Sequence, residues 1–196
     1  MTLPDWRQLV VLSLKDPASA ARTLIGLELP RDVLWTGLTL AAVANAILLG
    51  VSNLMYPAPA AMPAIMMNPL YYVGFVLSGL VLSTYALYWA GRVLGGKGTL
   101  SDVLVLLIWL QFLRILLQVV TLVMMMISPL LTALMLLGSI ALGIYIMLHF
   151  VNVAHKLQSL GRAAGVLIAT AFAIVLVLSM LIAMFGTTLL GTINNV

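Results

Sequence analysis

Cysteine is absent from this 196-residue chain, which excludes disulfides, thiol nucleophiles and cysteine-ligated metals. Charge is nearly as scarce. Only 7% of the residues are Asp, Glu, Lys or Arg, against about a quarter in a soluble domain, so water is not the solvent for most of the chain. No acidic residue falls inside an apolar run, so a carboxylate proton relay has no members. A Ser-His-Asp arrangement cannot be built there either. These absences point to a non-enzymatic protein, and nothing implies a cofactor.

What remains is hydrophobicity. No Lys, Arg, Asp or Glu occurs between Asp32 and Arg92, or between Arg114 and His149. A run of about 18 or more apolar residues crosses a bilayer as a helix, and several such runs follow one another. Five spans are predicted, at about 33–54, 70–94, 100–126, 130–156 and 165–185. The expected fold is all-α: an integral membrane bundle of five transmembrane helices with short amphipathic N-terminal helices. It divides into an N-terminal segment (1–30), a five-span domain (31–186) and a short external tail (187–196). The first loop, Tyr56 to Pro69, carries Pro57, Pro59, Pro63 and Pro69 without charge and is expected to lie on the membrane. Met66, Met67 and Met124 to Met126 read as lipid-facing or packing residues, and Gly186 as the cap ending the fifth span.

The formal net charge is +4, but the basic residues form no patch that would bind nucleic acid. They mark topology. Arg7, Lys15, Arg22 and Arg31 precede the first span, Arg92 and Lys97 separate the second from the third, and Lys156 and Arg162 separate the fourth from the fifth. The remaining loops and the tail have none. By the positive-inside rule the N-terminus is cytoplasmic and the C-terminus outside, with the inner (plasma) membrane as the expected location. No cleavable signal peptide is expected. Leu3, Trp6, Leu9 and Val10 share one face of a first amphipathic helix; Asp16 caps a second, with Pro17 at its first position. The pair is expected either at the membrane interface or packed under the bundle.

Gly91 to Gly98 matches the glycine and lysine positions of a phosphate-binding loop, but Gly98 stands where Ser or Thr must hold magnesium. A tight turn is the better reading, with Thr99 or Ser101 capping the third span and Asp102 near its positive end. His149 and His155, six apart, face different ways and make no helical metal pair. Gly161 and Gly165 are either spaced for a close helix approach or part of a loose loop.

Three polar stripes interrupt the apolar spans: Gln111, Arg114, Gln118 and Thr121 on the third; Tyr145, His149, Asn152 and Lys156 on the fourth; Tyr85, Tyr88 and Arg92 on the second. Arg114 lies roughly 18 Å beyond Asp102, near mid-bilayer, where a charge costs at least about 2.5 kcal/mol. It is expected to face the bundle interior. There it either ties helices together through Asn45, Gln118, tyrosine hydroxyls and carbonyls, or lines a polar cavity open to the cytoplasm. Such a cavity, built from Arg114, Gln111, Gln118, His149, Asn152, Tyr145, Tyr85 and Tyr88, would hold an anionic group such as a lipid phosphate or a partner's carboxylate.

Five spans, a cytoplasmic N-terminal segment with Asp16-Pro17, and a Gly95-Gly96-Lys97-Gly98-Thr99 turn into the third span resemble the bacterial branch of the Yip family, the Ypt/Rab-interacting membrane proteins. The resemblance runs from roughly Lys15 to Met184. It implies a five-span, non-enzymatic membrane protein. An Asp-Leu-Tyr-Gly-Pro type motif and a long cytoplasmic N-terminal region are missing, so GTPase binding is not carried over. The resulting expectation is a membrane-organising or complex-associated protein whose partners are membrane lipids and another membrane protein or a second copy. A small-solute transporter or channel is one alternative, and a lipid-headgroup-binding protein or intramembrane enzyme another.

Overall fold

The computed structural model describes residues 5–56 and 68–193. Seven helices account for nearly all of them: α1 (Trp6–Lys15), α2 (Pro17–Ile25), α3 (Arg31–Met55), α4 (Pro69–Val93), α5 (Leu100–Ile127), α6 (Pro129–His155) and α7 (Leu160–Ile193). The last five are long and apolar enough to cross a membrane, α7 over Leu160–Met184. The all-α, five-span bundle is the fold expected. Leu3, the Pro57, Pro59 and Pro63 stretch, Met66 and Met67 lie outside the described residues.

Local chemistry sets the helix ends. The Asp5 carboxylate accepts from the Arg7 amide, and the Asp16 carboxylate from the Ser19 amide with Pro17 opening α2. Asn68 and Ser128 cap α4 and α6, each followed by proline at the first helical position. Such prolines have no N–H to lose there. Thr99, rather than Ser101, caps α5 in a reciprocal box. Thr99 Oγ1 accepts from the Asp102 amide at 3.2 Å, and the Asp102 carboxylate accepts from the Thr99 amide at 2.9 Å.

Two boundaries differ from expectation in α7. It starts at Leu160 instead of 165 because Ser159 opens it: the Ala163 amide donates to the Ser159 carbonyl at 3.1 Å, and Arg162 to its hydroxyl at 3.4 Å. Gly186 does not end it, and the helix continues to Ile193. A single helical glycine costs only about 1 kcal/mol relative to alanine.

α5 packs against α3, α4 and α6, while α7 closes on α4 and α6. The core concentrates where α3, α5 and α7 begin and α4 and α6 end. This is the basic end, carrying Arg31, Arg92, Lys97, Lys156 and Arg162. Leu34, Leu38, Leu104 and Phe150 are almost fully buried in one cluster; Leu87, Val103, Val151, Ala163 and Val166 form a second. Toward the opposite end α6 and α7 expose Leu134, Leu137, Ile140, Ile168, Phe172 and Val175. In a bilayer this is a lipid-facing surface.

The N-terminal pair is packed into the bundle. α2 lies on α6 and α5, burying Ala20, Ala21 and Leu24. Its small residues allow the close approach. Ser13 on α1 is fully buried and accepts from Trp109 Nε1 at 2.8 Å, while Trp6 meets Phe112 edge-on. α1 still exposes Trp6, Val11 and Leu14. Within the spans, buried Asn45, Thr84, Thr132 and Thr170 each donate to the carbonyl four residues back, which satisfies polar groups where lipid offers no partner.

Candidate functional site

Arg114 lies roughly 21 Å along α5, beyond the tightly buried stretch Val103 to Leu107. Its Nη2 donates to Asn45 Oδ1 on α3 at 2.7 Å. Asn45 is 3% exposed and spends its own amide on the Ala41 carbonyl, so α3 presents an oriented acceptor. Arg114 as a whole is nevertheless exposed, while its guanidinium reaches inward to make the tie to Asn45 that the sequence suggested. One turn nearer the basic end, Gln111 has its Oε1 buried without a hydrogen-bond partner. Gln118, one turn beyond, is half-buried.

The other stripe residues are placed separately. Tyr85 stacks on Trp35 of α3 at 6.3 Å. Tyr88 carries the Arg92 guanidinium over its ring at 5.8 Å. Tyr145 and His149 meet edge to face at 4.8 Å on α6. Asn152 Oδ1 accepts from the Ser159 amide at 3.1 Å, closing the turn between α6 and α7. Among the described residues, no hydrogen bond or aromatic pair joins one stripe to another. Helical spacing shows which side chains share a face, but not which faces meet.

The large cavity lies at the basic end. It holds about 920 Å³ between α2, the α2–α3 turn, the start of α5 and the end of α6, and of the eight expected site residues only Asn152 lines it. Its charged lining is Arg22, Glu28, Asp102 and Lys156; Thr99, Ser101 and Gln158 add polar groups, and Leu24, Ile25, Leu29, Leu34, Val105 and Val153 an apolar wall. Glu28 (φ 46°), Lys156 (φ 55°) and Gln158 (φ 56°) are the non-glycine residues with positive φ among the described residues, and all three line this cavity. The left-handed region costs a side-chain-bearing residue about 1–2 kcal/mol. Glycine would turn the chain there without that cost. Long polar side chains stand in its place.

Beside the cavity, His155 is fully buried at the end of α6. Gly91, Gly96 and Gly98 close around it. A Cβ on Gly91 would overlap the imidazole, one on Gly96 would come within 2.7 Å of His155 Cβ, and one on Gly98 within 2.9 Å of Nδ1. The Leu87 carbonyl faces the ring, yet neither ring nitrogen makes a hydrogen bond of normal geometry. The same turn disposes of the phosphate-loop pattern. The Gly95, Gly96 and Lys97 amides donate to the carbonyls of Arg92, Gly91 and His155, so no free row of donors faces an anion.

A family model, the Yip1 domain, matches residues 11–182. The chain belongs to the Yip1 domain family. Neither a curated protein nor a solved structure matches it. The Yip1 domain match spans α1 from Val11 to α7 at Ile182 and takes in Arg114, the mixed-charge cavity and the glycine cradle.

Within this Yip1 domain, reading the sequence overlooked His155 as a core residue, and Arg22, Glu28, Asp102 and Gln158 as neighbours in space. A signal was present for the first. Three glycines at 91, 96 and 98 exceed what one tight turn requires, since only Gly95 has positive φ. The surplus marks close approach to a bulky neighbour. Nothing local in the sequence marks the cavity, whose walls come from elements far apart along the chain.

Proposed function

We propose that this Yip1 domain protein is a non-enzymatic, membrane-organising protein of the inner (plasma) membrane, N-terminus cytoplasmic, that associates with a second membrane protein through Arg114. The observation that carries the reading is Arg114 itself, an exposed residue at mid-span whose guanidinium has one hydrogen bond, to Asn45. A guanidinium offers five N–H donors. A charge at that depth costs at least about 2.5 kcal/mol. A carboxylate on a neighbouring transmembrane helix answers both. A second copy of this chain supplies none, because its five acidic residues, Asp5, Asp16, Glu28, Asp32 and Asp102, all lie outside span interiors. The partner is therefore a different protein, with an acidic residue inside its membrane span.

The test is purification with native lipids followed by mass spectrometry, on the wild type and on Arg114→Gln. The wild type is expected to carry a stoichiometric membrane protein with an intramembrane acid, and Arg114→Gln to lose it while keeping its own unfolding temperature within a few degrees. Retention of that partner by Arg114→Gln, or a wild type without any stoichiometric protein, rejects the reading.

A further inference from the structure

We infer that the cavity at the basic end is a binding site for a head group that carries both a phosphate and a primary ammonium, of the phosphoethanolamine type. This goes beyond the proposed function and rests on other residues than Arg114.

The lining has both signs in equal number: Arg22 and Lys156 against Glu28 and Asp102. These four are not ion-paired with one another. Arg22 donates to Ser19 Oγ at 2.9 Å, and one Asp102 oxygen is engaged by the Thr99 amide. Opposite charges that line a space of about 920 Å³ without pairing with each other suit a ligand with both charges. A purely anionic head would leave Glu28 and Asp102 without a counter-charge, and a purely cationic one would leave Lys156 without one, whereas Arg22 also reaches Asp16 through Ser19. The volume is within the ordinary range of ligand cavities, about 300–1,000 Å³.

Placement identifies the ligand further. The polar lining comes from the last turn of α2, the α2–α3 turn, the start of α5 and the end of α6 with the turn after it, at the end where spans leave the membrane. Leu34 and Val105, about one turn inside α3 and α5, supply apolar wall on the span side. This passage from charged to apolar follows the passage from head group to acyl chain. It favours a phospholipid over a peptide segment. The three left-handed residues give an independent argument. Glu28, Lys156 and Gln158 direct long polar side chains at one space from backbone positions that glycine would occupy more readily.

The test measures retention of defined probes by the detergent-purified full chain in native mass spectrometry. The probes are dioleoylphosphatidylethanolamine, the matching phosphatidylcholine and phosphatidylglycerol, and free phosphoethanolamine. Phosphatidylethanolamine is expected to bind at least tenfold tighter than phosphatidylcholine, whose quaternary nitrogen has no N–H to donate, and than phosphatidylglycerol, which lacks nitrogen. Arg22→Gln combined with Lys156→Gln, and Glu28→Gln alone, should each weaken it about tenfold. Lys156→Gly separates binding from folding: it should raise the unfolding temperature of the lipid-free protein while weakening phosphatidylethanolamine. Arg114→Gln should leave lipid retention unchanged, so failure here and failure of the proposed function are distinguishable. Free phosphoethanolamine bound as tightly as the lipid supports the site and makes the soluble head group its ligand. Equal retention of phosphatidylglycerol, indifference to the Arg22 and Lys156 changes, or a co-purified peptide occupying the cavity overturns the inference.

Discussion

His155 and Gly91 show how one side chain sets the identity of residues distant in sequence. The ring fills the space that a Cβ at 91 would need. Gly91→Ala therefore overpacks a site without slack, and costs of about 1–3 kcal/mol are usual for such changes. His155→Ala opens that space at the price of a void. The two changes should compensate partly, so that the double variant is more stable than the sum of the singles by at least about 0.5 kcal/mol. Denaturant unfolding of the four proteins in detergent checks this, and strict additivity would show that the ring and the glycine do not share the space. Arg114 carries a related lesson. Asn45 was legible in the sequence as its partner, because each lies a similar distance from the start of its helix. The exposure of Arg114 was not legible, since it depends on how the neighbouring helices pack.

At the scale of elements, α2 hangs on Asp16. Its carboxyl is held below the ordinary carboxylate value, first by the Ser19 hydroxyl, then by the Ser19 amide, with a smaller pull from Arg22. A lowered folded-state value means that the charged cap stabilises the fold above the ordinary carboxylate range, and that this stabilisation is lost as pH falls through the lowered value. Asp16→Asn keeps a good cap without the titration. Its unfolding temperature should decline less than that of the wild type below about pH 4. Parallel curves would remove Asp16 from the acid response. Caps of this kind explain why helix existence was readable: Asp16-Pro17, Ser128-Pro129 and Thr99 with Asp102 are local signals. The docking of α2 onto α5 and α6 was not readable. Alanines 20 and 21 mark a helix that can approach closely, but they do not say what it approaches.

For the whole molecule, the cysteine-free sequence allows a direct test of the proposed orientation. Single cysteines at Lys97 and Arg162, both exposed at the basic end, should react with a membrane-impermeant thiol reagent only when it reaches the cytoplasmic side. A cysteine at exposed Asn68 should react only from outside. Labelling of all three from one side would overturn the five-span threading, and the reverse pattern would invert it. Five spans were legible because bilayer thickness acts on composition alone. The packing gradient was not, because apolar side chains facing lipid and apolar side chains facing protein look the same in a sequence.

The Ser13–Trp109 bond joins residues 96 apart, and this separation imposes a timetable on synthesis. At about 5–20 residues per second, Ser13 leaves the ribosome roughly 5–20 s before its partner exists. Asn45 likewise precedes Arg114, by 69 residues. During that interval α1 and α2 have no third or fourth span to dock on, and the membrane surface is the nearest apolar phase for their apolar faces. The packed state of these two helices is therefore a late one, reached only after the fourth span is made. Arg114 has no such wait. When it enters the bilayer, the asparagine that receives it is already in place.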